Sequence, residues 1–178
     1  MKFLVFFFFV SLQIFGQQSK RDTINYRLYN KLEWSDFKAK TPADTHFSAS
    51  VSTGMSYNWS YSTAGGIPDF KYKIEAKLYR NFSWAIYDTG KEHVLKHEQL
   101  HFDITELYVR KFRKALHEYE IGRTIRKDVN NIYQTLEYER KEIQMLYDKE
   151  TNHSLNKEEQ LIWEEKVNEL LIKLEDFK

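Results

Sequence analysis

Two histidines four positions apart, His97 and His101, enclose Glu98 in the run Val94-Leu95-Lys96-His97-Glu98-Gln99-Leu100-His101-Phe102-Asp103. On an α-helix, residues i and i+4 share a face one turn apart. Both imidazoles can then point at one atom, and a pair of neutral imidazoles suits a zinc ion. Glu98 is one step round the helix, within reach of a water at the metal without being a ligand itself. A carboxylate so placed is a general base, and a zinc ion beside it supplies a Lewis acid. The chain has no cysteine. Thiolate ligands and disulfides are therefore excluded, and any metal site must be built from His, Asp or Glu.

Two histidines need at least a third ligand, and helical geometry restricts the choice. His93 is two turns from His101, about 12 Å of rise, so the three cannot share one ion; it reads as a solvated or supporting histidine. Glu106 is half a turn out of phase with His97 and faces away. Asp103 is also off the ligand face and reads as a carboxylate that hydrogen-bonds a ligand or a neighbouring element. His117 is too far along the helix. The third ligand must come from a segment after the chain turns back. His153, in the polar segment Asp148-Lys149-Glu150-Thr151-Asn152-His153-Ser154, is one choice. Glu137, Glu139 and Glu142 on the preceding helix are the others.

The elements that must position these groups divide the chain into a β-like first half and a helical second half. From Ile24 to Ala64 the pattern is that of strands: Leu28, Leu32 and Trp34, then Phe47, Ala49, Val51 and Thr53, then Tyr57, Trp59 and Tyr61 alternate with polar residues. Gly54 marks a bulge or a close backbone approach. Gly65-Gly66-Ile67-Pro68-Asp69 is a turn. Tyr72, Ile74, Ala76 and Leu78 alternate with charged residues as a half-exposed strand, an edge that could hold an extended peptide by strand addition. Phe82, Trp84 and Ile86 read as its continuation. Asp88 or Thr89 caps a helix from about Lys91 to His117, whose buried side carries Val94, Leu95, Leu100, Ile104, Leu107 and Tyr108. A second helix runs from about Thr124 to Tyr147, with Ile125, Val129, Ile132, Leu136, Ile143 and Leu146 inside. A third starts near Asn156, which with Glu159 forms a capping box. The expected fold is α+β, an antiparallel sheet followed by three helices.

Residues Met1 to Gly16 read as a secretory signal peptide: Lys2 followed by an apolar run, Phe3 to Phe15, too short for a membrane span. Residues 17–178 then form one domain with enough apolar content for a single core. The whole chain carries 27 basic and 26 acidic residues. Loss of Lys2 balances them, so neither nucleic acid nor an anionic membrane surface is expected as partner. An export signal places the protein in the periplasm or outside the cell.

The run Leu95 to Asp103, preceded by Trp34-Ser35-Asp36-Phe37 and followed by Tyr147-Asp148-x-x-Thr151-x-His153, resembles a bacterial secreted family. That family is known as domain of unknown function 922 and described as predicted Zn-dependent proteases of the zincin group. A glycine often follows the histidine in that family, where this chain has Ser154. The resemblance implies a zincin-like fold with the His-Glu-x-x-His motif on the first long helix. It also implies His97, His101 and His153 as metal ligands and Glu98 as catalytic base. The resulting expectation is a secreted zinc metallopeptidase acting on peptide or protein substrates, its water activated by zinc and Glu98. A secreted or envelope module, stabilised by metal and without turnover, is the alternative. The adjacent base separates the two, because a structural zinc site fills its coordination with protein and needs no base.

Overall fold

The computed structural model describes residues 22–28, 31–66, 68–86 and 91–178. The expected leader, Met1 to Gly16, the candidate caps Asp88 and Thr89, and Ile67 of the expected turn lie outside them. Five strands precede three helices: β1 (Thr23–Asn25), β2 (Ala49–Ser50), β3 (Thr53–Ser62), β4 (Asp69–Tyr79), β5 (Trp84–Ala85), α1 (Glu92–His117), α2 (Ile125–Glu150) and α3 (Lys157–Lys173). The class is the expected α+β one. The sheet is antiparallel in the order β1-β4-β3, with a separate β2-β5 ladder.

β3 and β4 form a long hairpin, Thr53 opposite Leu78 through Ser62 opposite Asp69. Its turn uses Gly65 and Gly66, both at positive φ (82° and 79°), where only glycine is free of steric cost. In β4 the alternation holds: Ile74, Ala76 and Leu78 are buried. Gly54 marks a close approach, since a Cβ there would lie 3.2 Å from the Tyr79 ring. The segment Phe82–Ile86 does not prolong β4. A 3-10 turn at Arg80–Phe82 breaks the strand, and β5 then pairs with β2, Ala85 opposite Ala49.

The apolar residues Leu28, Leu32 and Trp34 do not make a strand either. Tyr26–Leu28 and Trp34–Asp36 are 3-10 turns. Asp36 accepts the Glu33 N–H at 2.9 Å, a local side-chain bond that competes with strand pairing. Leu32 and Phe37 still reach the core, as lone anchors.

α1 lies at the centre. It packs on β3 and β4 on one side and on α2 and α3 on the other. It is therefore buried around most of its circumference: Phe102, Ile104, Val109 and Phe112 are fully enclosed, each worth about 2–3 kcal/mol of burial. Glu106, expected to face away, is fully buried too. It accepts from Arg110 at 3.2 Å and Arg113 at 3.0 Å. Those arginines bond Leu171 O, Phe177 O and Ile74 O, tying the C-terminal turn and β4 to α1. Along α2 the buried residues are Val129, Arg140 and Tyr147, whereas Leu146 is largely exposed. α3 begins as expected, with Asn156 accepting the Glu159 N–H.

Candidate metal centre

His97 and His101 project from the second and third turns of α1, both buried, their ring centroids 4.9 Å apart. α2 runs back past them and extends through Glu150, one turn beyond the expected end at Tyr147. That turn carries Asp148 toward the histidines. Asp148 Oδ1 is 3.1 Å from His97 Nε2 and 3.0 Å from His101 Nε2. One ligand atom from each of the three residues lies within 4.8 Å of the others.

The surroundings fix the chemistry of this group. Gln144, one helical turn before Asp148, directs its NH2 at Thr105 Oγ1 (3.1 Å) and His101 O (3.4 Å). Its Oε1 therefore faces His101 Nδ1 at 3.2 Å and accepts that proton. In that neutral tautomer Nε2 and the carboxylate oxygen are both acceptors, and a cation between them, the ring's own second proton or a metal ion, is what reconciles them at 3.0 Å. One carboxylate with two imidazoles is a donor set for zinc and several first-row ions. His97 stacks on the Tyr147 ring at 4.5 Å. Its Nδ1 is buried with no partner among the described residues, and its one polar contact is Nε2 with Asp148 Oδ1. The residues fit a metal ion.

The surroundings shift the two histidines in opposite directions. Burial opposes a charged His101, but the Asp148 hydrogen bond and the Glu98 charge outweigh it and raise its pKa. Burial likewise pushes Asp148 up, yet the two histidines hold it well below the usual carboxylate range. His97 is lowered, chiefly by burial.

Glu98 is buried beside the pair. Its Oε2 accepts the Val51 N–H at 2.8 Å, which anchors the carboxyl to the chain between β2 and β3. Burial raises its pKa to about 7, against the opposing pull of His101 and the Val51 N–H. It opens on a cavity of about 220 Å³ walled by residues 47–51 on one side and Gln144, Asp148, His153 and Ser154 on the other, with the histidines between.

His153 is in that wall but outside the three-atom group. Its Nδ1 is 3.6 Å from Asp148 Oδ1, its side chain is 48 % exposed, and its ring packs on Phe47 at 4.5 Å. The loop is wound left-handed: Asn152, His153 and Ser154 have φ of 46°, 51° and 75°, a run of conformations that costs non-glycine residues about 1 kcal/mol or more each. The expected alternatives on α2 are elsewhere; Glu137, for one, is held by Arg140 at 2.7 Å. Asp103 bonds Gln99 at 2.8 Å, and Gln99 in turn accepts the Leu32 N–H, so it braces α1 against the N-terminal segment. The strand Tyr72–Leu78, expected to receive a peptide, lies within β4 and contributes nothing to the cavity. Residues 47–51 occupy that place.

Residues 28–154 match the family of bacterial proteins of unknown function, DUF922. The chain belongs to this family. In this DUF922 chain the matched span contains the whole cavity and ends at Ser154, so α3 lies beyond it. No curated protein and no solved structure matches the chain.

Proposed function

We propose that this chain is an exported zinc-dependent peptidase. The observation that carries the reading is the convergence of His97, His101 and Asp148, one ligand atom from each within 4.8 Å of the others, next to a buried glutamate that is not itself part of the group. A zinc ion held by His97, His101 and Asp148 would supply Lewis acidity to a peptide carbonyl and to water. The protein supplies the rest. Glu98, with a pKa raised to about 7, is matched to proton transfer near neutral pH. The Val51 N–H holds its Oε2, and no described residue bonds Oε1, which is left to take a proton from the attacking water and deliver it to the leaving amine. Phe47, Val51 and Val94 form the apolar part of the cavity lining. Export rests on the leader-like residues 1–16. Among the described residues no helix is long and apolar enough to cross a membrane.

The test is metal content measured beside hydrolysis. One zinc per chain is expected, lost in His97→Ala and Asp148→Asn and kept in His153→Ala. Loss in His153→Ala would make His153 a ligand. Glu98→Gln should keep the metal and lose peptide hydrolysis. A wild-type chain that holds zinc but cleaves no peptide or protein would be a metal-stabilised binding module instead.

A further inference from the structure

β3 is the outer strand of the sheet, and its free edge is unguarded. Edge strands are usually blunted by charges, proline or bulges. β3 reads Thr-Gly-Met-Ser-Tyr-Asn-Trp-Ser-Tyr-Ser, without a charge or a proline in its ten residues. β4, inside the sheet, carries five charged residues in the stretch Asp-Phe-Lys-Tyr-Lys-Ile-Glu-Ala-Lys-Leu-Tyr.

The ladder shows which groups the edge offers. Ser52 O accepts the Tyr79 N–H at 2.8 Å, and the register places these two residues opposite each other. Antiparallel pairs alternate between bonded and non-bonded. Gly54, Ser56, Asn58 and Ser60 therefore bond to β4, and the N–H and C=O groups of Tyr57, Trp59 and Tyr61 point off the sheet. No described residue bonds them.

These groups open on a groove of about 640 Å³ between residues 57–61 and Arg126 and Asn130 of α2. The metal cavity lies further off along the chain from both walls: residues 47–51, which precede β3, on one side, and Gln144 and Asp148 of α2 on the other. Asn130 and Gln144 are about 21 Å apart along the helix, at about 1.5 Å per residue. An extended chain covers that distance in about six residues. Tyr57 and Tyr133, rings 4.6 Å apart, join β3 to α2 in the interval.

We infer that the β3 edge from Tyr57 to Tyr61 docks an extended polypeptide, the substrate of the metal centre, by adding it as a further strand roughly 20 Å from the cleaved bond. The inference rests on the peptidase reading for the words "substrate" and "cleaved". An extended backbone is the occupant that complements a row of alternating N–H and C=O groups, and the groove beside the edge is walled on its far side by Arg126 and Asn130 of α2. Long, unfolded chains are then preferred over short peptides, which fill the metal cavity alone.

The test uses fluorescein-labelled reduced casein and the full chain carrying Glu98→Gln, so that binding is read without cleavage. Tyr61→Pro removes an outward N–H and no ladder bond; Asn130→Trp fills the groove from the helix side and covers the case in which the proline variant does not fold. Loss of one or two main-chain hydrogen bonds should weaken casein binding about tenfold. With Glu98 restored, the ratio of kcat/KM for casein to that for a hexapeptide should fall by about the same factor. Equal casein binding in all folded variants would overturn the inference, and so would an unchanged ratio. A wild-type dimer in sedimentation that Tyr61→Pro dissolves would overturn it in favour of a second copy. A chain that binds casein through this edge but cleaves neither substrate would overturn the peptidase reading and leave the docking edge standing.

Discussion

Gln144 decides which nitrogen of His101 carries the proton, and so which one is left for a metal. Its amide is itself oriented by Thr105 and the His101 carbonyl. Replacing it with leucine removes the acceptor for Nδ1–H and frees the ring to hold its proton on Nε2. Outer partners of this kind change metal affinity about 10- to 100-fold. Titration of zinc into metal-free Gln144→Leu should therefore show a loss in that range, and Gln144→Glu, which keeps an acceptor, should retain tight binding. The two histidines and Glu98 were legible in the sequence because a spacing of four is a statement about one helix. Asp148 was not. Its partners are 47 and 51 positions away, and whether it faces them depends on α2 continuing one turn past Tyr147. The run Tyr147-Asp148-x-x-Thr151-x-His153 holds both Asp148 and His153, and only the fold shows that Asp148 stands nearer the pair.

At the scale of elements, the buried cluster of Glu106, Arg110 and Arg113 holds three parts of the fold together. Two guanidinium groups converge on one carboxylate oxygen, and their remaining N–H groups hold β4 and the C-terminal turn. Removing the carboxylate would leave Arg113 without a carboxylate partner in a closed interior and Arg110 with Glu175 alone. Glu106→Leu should cost about 3–5 kcal/mol, read as a lower urea midpoint with an unchanged slope. Helical periodicity located all three helices and the β3–β4 hairpin. It misread Leu28 to Trp34 as strand, because lone apolar anchors on 3-10 turns mimic alternation. It set Glu106 apart from the histidine face, as the structure has it, but did not show that this other side is covered too, because a helix wheel says which residues share a side but not how many sides are covered.

Over the whole molecule, the balance of buried carboxyls sets the response to pH. Asp103, near the interface of α1 with α3 and the N-terminal segment, is raised from 3.8 to about 6, first by burial, against hydrogen bonds from Gln99 and Tyr26. The folded state holds this proton more tightly than the unfolded one. The resulting stability is complete below about pH 3.8 and is lost as pH rises through about 6. Asp103→Asn keeps the shape without the charge, so its advantage over the wild type should grow between pH 5 and pH 8, reaching roughly 3 kcal/mol. Denaturant unfolding at the two pH values measures it, and a constant difference would show that Asp103 does not titrate in this range.

The enclosure of α1 also has a meaning in time. Amides in the middle of a helix covered on most sides meet solvent only when the molecule opens as a whole. His97, Glu98 and His101 ride on that slow segment. Asp148 stands near the end of α2, four residues before a left-handed loop, where opening is local and fast. The two halves of the metal centre thus keep different clocks. An ion bridging them would set the faster half to the pace of the slower, so that zinc should retard hydrogen exchange most at residues 148–154 and least in α1.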